Sequence, residues 1–161
     1  MRYWLFKSEP SAYSVDDLAR DGVTEWGGVR NYQARNFMRD EMRPGDRGFF
    51  YHSSCEEPGI TGIVEICGPA HPDETQFDRK SRYYDRAATR NNPRWYNVDV
   101  KLVEKTRLVG LDELRGDKAL KGMQILKRGS RLSITPVTPA EWKRIMTLVA
   151  RKTGQQPARQ A

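Results

Sequence analysis

Histidine and cysteine are scarce in this chain: His52, His71, Cys55 and Cys67 are the full complement. Two cysteines make neither a disulfide framework nor a metal-binding pattern, and with so few histidines beside them no metal site is expected. Cys67 sits in the apolar run "GITGIVEICG" and reads as a small core residue. No apolar run approaches the roughly 20 residues that a membrane helix needs, so no membrane partner is expected. The opening "MRYWLFKSEP" holds one arginine and a short apolar run that Lys7 cuts off. It lacks the length and cleavage site of a signal peptide and reads as a first strand, and a cytoplasmic location is expected.

Signatures of nucleotide and nucleophile chemistry are missing too. Gly59, Gly62 and Gly68 match neither the GxxxxGKS/T loop nor GxGxxG, and no GxSxG elbow occurs. Asp16 and Asp17 read as helix capping, with no second carboxylate placed to make an acid–base pair. No cofactor is implied. What remains for an enzyme is a hydrolase-type site built on His52 and Cys55. Adjacency in sequence is not geometry, however, and an ordinary loop cysteine is the plainer reading.

What is present is one domain's worth of core and a surplus of positive charge. A chain of 161 residues, 37% hydrophobic and 10% aromatic, supports a single globular domain over residues 1–150. Residues 151–161, rich in Gly, Gln, Pro and Arg, read as a flexible basic tail. The formal charge of +7 suits a polyanionic partner, but Arg151, Lys152 and Arg159 carry three of those charges, which leaves +4 for the domain. A monomer is expected. Tyr3 to Phe6 is a short aromatic strand. Ser14 with Asp16 and Asp17 signals a short helix that Gly22 closes. Gln33 to Met42 reads as a helix with Ala34, Phe37, Met38 and Met42 toward the core. "RPGD" fits a type II turn and launches the strand "GFFYHS". "WYNVDVKLVEK" alternates, with Val98, Val100 and Leu102 inward and Asp99 and Lys101 outward. Thr138, Pro139 and Glu141 open a helix through a capping box. Strands of mixed length with helices between and after them give an α+β fold around a small barrel.

Binding residues are better supported than catalytic ones. A flat ligand such as a nucleobase is held by stacking on an aromatic face and by hydrogen bonds to its polar edge. In "WGGVRN" Trp26 offers the face, Gly27 and Gly28 let the main chain approach closely, Asn31 offers a donor and an acceptor, and Arg30 reaches for phosphate. The bland alternative is a core tryptophan, a turn and an asparagine capping the next helix, and it stands level with the first. Lys7, Ser8 and Glu9 form a polar strand end that either rings a pocket mouth or is a solvated turn. His52 and Ser53 join them only where the two strand ends lie together. Arg79, Lys80, Arg82 and Arg86 surround Tyr83 and Tyr84, a basic and aromatic mix suited to splayed nucleic acid or else an ordinary solvated loop.

The segments "YWLFKSEPSAYSVDDL", "WGGVRNYQARNFMRDEMRPGDRGFFYHSSCEEPGITGIVEI", "DETQFD", "NNPRWYNVDVKL" and "RLSITPVTPAEW" together resemble the EVE domain, a PUA-like family related to ASCH and YTH domains. They occur in order and span nearly the whole chain. The resemblance implies a PUA-like β-barrel of five to six strands flanked by helices. It also implies a non-catalytic module that recognises a modified base, modified cytosine in DNA, within an aromatic and polar cleft. An RNA-binding or RNA-processing factor is the alternative. Lys7 and Ser8 are similar to the Lys-Ser that follows the first strand of YTH domains, and Trp26-Gly27-Gly28 to their cage tryptophan and small-residue turn. The expected ligand-binding set is Lys7, Ser8, Glu9, Trp26, Gly27, Gly28, Val29, Arg30, Asn31, His52 and Ser53. Arg35, Arg79 and Arg82 are expected on the nucleic-acid backbone, and Phe6, Trp142 and the Leu126 region are candidates for further cage walls.

Overall fold

Along the first strand, β1 (Tyr3–Ser8), Trp4 and Phe6 face one way and Leu5 the other, and none is more than 1% exposed. Successive strand side chains point to opposite faces, so this sheet must be covered on both. β3 (Arg47–His52) repeats the pattern, with Phe50 on the face of Trp4 and Phe6 and with Phe49 and Tyr51 on the face of Leu5. The computed structural model describes residues 1–129 and 131–151, so the basic tail, apart from Arg151, lies outside the described residues. The remaining strands are β2 (Val23–Trp26), β4 (Gly59–Ile66), β5 (His71–Pro72), β6 (Tyr96–Gly110) and β7 (Ile134–Val137). The helices are α1 (Val15–Asp21), α2 (Tyr32–Asn36), α3 (Leu111–Arg115) and α4 (Pro139–Val149).

Local signals account for most of these boundaries. The Ser14 hydroxyl accepts from the Asp17 amide while the Asp17 carboxylate accepts from the Ser14 amide, and Gly22 at φ 77° ends α1. Thr138 and Glu141 cap α4 in the same reciprocal way. Pro44 and Gly45, the latter at φ 94°, turn the chain into β3, with the Asp46 amide donating to the Arg43 carbonyl at 3.0 Å. The helix expected from Gln33 to Met42 begins one residue earlier as α2 and widens at Phe37 into a π-helical turn through Glu41. Ala34, Met38 and Met42 are buried as its spacing predicts. Cys67 corrects the core reading: alternation past Ile66 turns it outward, and it is exposed.

Strand pairings run β2-β6-β4-β3-β1-β7, with β5 beside β6; β1 and β3 are parallel and the other pairs antiparallel. No β2–β7 ladder occurs among the described residues, so the expected barrel is an open sheet of seven strands. The sheet nevertheless curls. β2 and β1 stand four strands apart, roughly 19 Å in a flat sheet at the usual spacing. Yet the Trp26 ring on β2 lies 5.2 Å from Phe6 on β1 and 5.5 Å from Phe50 on β3. The fifteen residues of β6 permit this bend: it pairs with β2 over 98–101 and with β4 over 100–110, and two register shifts interrupt the β4 ladder. Val98 and Val100 point into the curl and are fully buried, and Leu102 packs on the same cluster. α3 and α4 cover the opposite face through Leu114, Ile145 and Leu148.

Candidate functional site

Where β2 fails to meet β1 and β7, a cleft of about 670 Å³ opens. Lys7, Ser8 and Glu9 form one lip with Tyr13 and Ser133; Thr24 to Arg30 form the other; Asp73, Thr75, Arg82, Tyr83 and Asn97 close the end. The β1 end is shaped by a tight turn: the amides of Ala12 and Tyr13 both donate to the Glu9 carbonyl at 2.9 Å, and the Ser8 hydroxyl donates to the Tyr13 carbonyl at 2.6 Å. The Lys7 amide donates to the Ser133 carbonyl at 2.8 Å, which ties β7 to this lip.

The double glycine is needed for the protein's own side chains as well as for any ligand. A Cβ at Gly27 would lie 2.5 Å from Asn97 Oδ1. A Cβ at Gly28, whose φ is 71°, would lie 2.8 Å from the Tyr83 ring. The Gly28 amide donates to Asp73 Oδ2 at 2.9 Å. Asp73 is 1% exposed, and burial pushes its pKa up. The hydrogen bonds from Thr75, Gly28 and Arg30 together outweigh burial and hold the carboxyl below its ordinary range.

Arg30 is spent on this assembly. Its guanidinium donates to Asp73 Oδ2 at 3.1 Å, to the Tyr83 carbonyl at 2.9 Å, to Thr75 Oγ1 at 3.2 Å and to the Val29 carbonyl at 3.0 Å. It also lies 5.3 Å from the ring centres of both Tyr83 and Trp95. The expected phosphate contact is thus a brace that fastens the 73–83 segment over the Gly27–Gly28 turn. Gln76 and Asp85 complete the brace: Gln76 Nε2 donates to the carbonyls of Asp73 and Trp95, and Trp95 Nε1 donates to Asp85 at 2.8 Å.

Trp26 lines the cleft but is only 8% exposed, because Phe6 and Phe50 pack edge-on against it. It is a core residue with one strip toward the cleft rather than a wall with an open face. Val29 is likewise core and lining at once. Asn31 lies off the cleft, its Oδ1 accepting from the Ala34 amide at 3.0 Å, so it caps α2 as the plainer reading had it. Arg35 donates to the Arg94 carbonyl and to Asn36 and lies over Tyr32, which occupies the guanidinium expected on a phosphate.

The parallel pairing of β1 and β3 does bring Ser8 beside His52, and the Ser53 amide donates to the Ser8 carbonyl at 3.0 Å. Neither His52 nor Ser53 lines the cleft, however. His52 Nε2 accepts from the Val15 amide at 3.1 Å, at the start of α1, and burial holds its pKa below the ordinary value. That bond occupies the nitrogen a Cys55 thiol would need as a base. Of the other wall candidates, Phe6 backs Trp26 from the core. Trp142 stacks between Tyr3 and Phe49 on the far face, and Leu126 packs there too.

Arg79 and Arg82 are exposed, and the ion pairs of their loop are Arg30–Asp73, Arg90–Glu74 and Arg94–Asp85, which leave both aside. Arg82 stands 5.0 Å over the Tyr83 ring at the cleft mouth. Glu25, Asp73, Asn97 and Tyr13 are among the lining residues that sequence reasoning did not single out. Asn97 was hidden by its place on an alternating strand, where it reads as an ordinary outward polar residue. At the edge of the cleft, Glu25, which lines it, brings a carboxylate oxygen within 4.8 Å of polar atoms of His71 and Asp99, which do not line it. His71 Nε2 and Asp99 Oδ1 are 2.9 Å apart, and that bond raises the His71 pKa.

Comparison with known proteins fits this geometry. The EVE domain family matches residues 2–148. Thymocyte nuclear protein 1 of Gallus gallus is 44% identical, over 93% of this chain and 69% of its own length. A crystal structure of a Pseudomonas putida protein superposes with a TM-score of 0.87 at 48% identity, covering 91% of this chain and 98% of that one. The crystal structure of human THYN1 protein in complex with 5-methylcytosine containing DNA has a TM-score of 0.87 at 39% identity, covering 94% of this chain and 99% of that one. With a family match over nearly its whole described length and relatives at these identities, the chain belongs to the EVE domain family.

Proposed function

We propose that this protein is a non-catalytic reader of a modified base in DNA, and that the base is a cytosine modified on its ring. The observation that carries the reading is the human relative's complex with DNA containing 5-methylcytosine. The cleft supports it chemically. Its walls include one strip of Trp26 and the rings of Tyr13 and Tyr83, and a base leaves its stack only for a pocket that offers comparable stacking. Arg82 stands at the mouth and Arg79 is exposed on the same loop, both outside the ion pairs of the described residues, so they can neutralise phosphates without reading sequence. A site built on His52 is not supported, since its Nε2 already accepts from the Val15 amide at the start of α1.

The test is a titration of the protein with oligonucleotides identical except for one cytosine, which is unmodified, 5-methylated or otherwise modified. Tighter binding to one modified strand is the expected outcome. Equal affinity for all of them overturns the reading, as does an RNA strand bound more tightly than every DNA strand.

A further inference from the structure

We infer that Glu25 and Asn97 form an edge reader that accepts an amino-bearing pyrimidine and rejects thymine, an inference that rests on the base-reading function proposed above. Asn97 is 4% exposed and lines the cleft, yet among the described residues its Oδ1 has no hydrogen-bond partner. Among those residues its Nδ2 reaches only Glu25 Oε2, at 3.5 Å, the outer limit of a hydrogen bond. Buried side-chain amides are nearly always satisfied, and each offers two donors and two acceptors. Position 27 carries no Cβ at the point where that amide presses against it. The fold therefore makes room for an amide and leaves it short of partners, as a site does when the missing partner is a ligand.

Glu25 supplies the sign of the selection. Across the β2–β6 ladder it faces Asp99, and it lines the same cleft. His71 and Asp99 satisfy each other at 2.9 Å, while among the described residues the Glu25 carboxylate, within 4.8 Å of that pair, accepts one hydrogen bond, the long one from Asn97. A carboxylate accepts hydrogen bonds and cannot donate them, so it selects a base edge that presents N–H groups. At the 4-position of a pyrimidine that is the exocyclic amino group of cytosine, the usual partner of Glu and Asp; the one ring N–H of thymine lies at N3, a different place on its edge. Thymine shares the ring and the 5-methyl group of 5-methylcytosine but turns a carbonyl oxygen to the same place, so acceptor meets acceptor. An apolar cage cannot separate two ligands of one shape; a hydrogen-bonding edge can. Lys7, on the opposite lip, is a donor that serves the carbonyl both bases keep and does not discriminate.

The experiment compares single strands carrying one central cytosine, 5-methylcytosine or thymine, titrated against wild type, Glu25→Gln and Asn97→Ala, with thermal melts of all three proteins. The strand's own unstacking cost cancels when the 5-methylcytosine-to-thymine ratio is compared between proteins. Wild type is expected to favour 5-methylcytosine over thymine by about tenfold or more. Glu25→Gln, whose amide can turn either a donor or an acceptor to the base, should melt with wild type and bring that ratio close to one. Asn97→Ala should weaken 5-methylcytosine binding. Failure of wild type to prefer 5-methylcytosine or any other modified cytosine over cytosine removes the base-reading function, and this inference with it. Preference over cytosine but not over thymine, or an unchanged ratio in Glu25→Gln, overturns the inference alone.

Discussion

Truncation of Trp26 should harm folding and binding together, and the two losses can be separated. The indole is 8% exposed and wedged between the edges of Phe6 and Phe50, so Trp26→Ala removes a core side chain. Such truncations cost about 3–5 kcal/mol. The void would open onto the cleft, where water can fill it, which places the expectation at about 3 kcal/mol, the low end. For a domain of this size that corresponds to a melting point lower by about 6–12 °C. Loss of the stacking strip should weaken binding by about 1–3 kcal/mol per stacked base. Trp142→Ala is the control: its ring stacks 4.4 Å from Tyr3 and 4.1 Å from Phe49 on the far face, so it should lose stability and keep affinity. Thermal melts and titrations with a modified strand at a temperature where all variants are folded decide the matter. A Trp26→Ala protein that melts with wild type refutes the packing argument. One that is destabilised but binds with unchanged affinity and selectivity refutes the stacking role. Folded Trp142→Ala that cannot bind would mean that pocket wall and core residue have been exchanged.

Three further predictions rest on the structure. Arg30→Ala should destabilise by about 3 kcal/mol, because it strips a partner from the buried Asp73 carboxylate, and should weaken every strand with little change in salt dependence. Arg79→Ala and Arg82→Ala should leave the melt unchanged and lower the slope of log K against log salt by about one each, with selectivity intact; the reverse assignment of slopes would show that Arg30 is the phosphate contact. The two histidines should titrate apart in NMR, His71 above the usual value of 6.5 and His52 below it. The sign follows for stability. The His71–Asp99 pair contributes fully below pH about 6.5 and is lost as pH rises through the raised folded value. The contribution of neutral His52 is present above pH about 6.5 and fades as pH falls toward its depressed value. Coincident midpoints would refute both environments.

Much of the fold was legible because its signals are local. Ser14, Gly22, Pro44, Gly45, Thr138 and Glu141 each act within four residues of themselves, and each element they bound was read close to its true limits. The short strand Val23–Trp26 was not, since four residues after a helix carry too little alternation to announce a strand. Its existence depends on β6, whose run to Gly110 and bend are set by long-range pairing. The failure of the barrel to close hangs on that short strand. The cleft lies there, so Trp26 to Arg30 were found from the turn itself, while Asp73 and Asn97, which arrive from 45 or more residues away, were not.

Polar satisfaction separates the residues that hold this cleft from those available to a ligand. Arg30, Arg35, Asn31 and His52 have side chains of the kind that read bases and phosphates, which is why sequence suggests them. Each already has a protein partner at 2.8–3.1 Å. Turning such a group toward a ligand exchanges one hydrogen bond for another, and a bond exchanged yields little net free energy. Asn97 and the Arg79–Arg82 loop differ in kind. Among the described residues the amide has a buried acceptor without a partner, and the two guanidiniums lie outside their loop's ion pairs. A ligand that meets them gives them bonds they lack. Selectivity should therefore follow Asn97 and Glu25, affinity and salt dependence should follow Arg79 and Arg82, and Arg30 should register in both only through the collapse of the turn it braces.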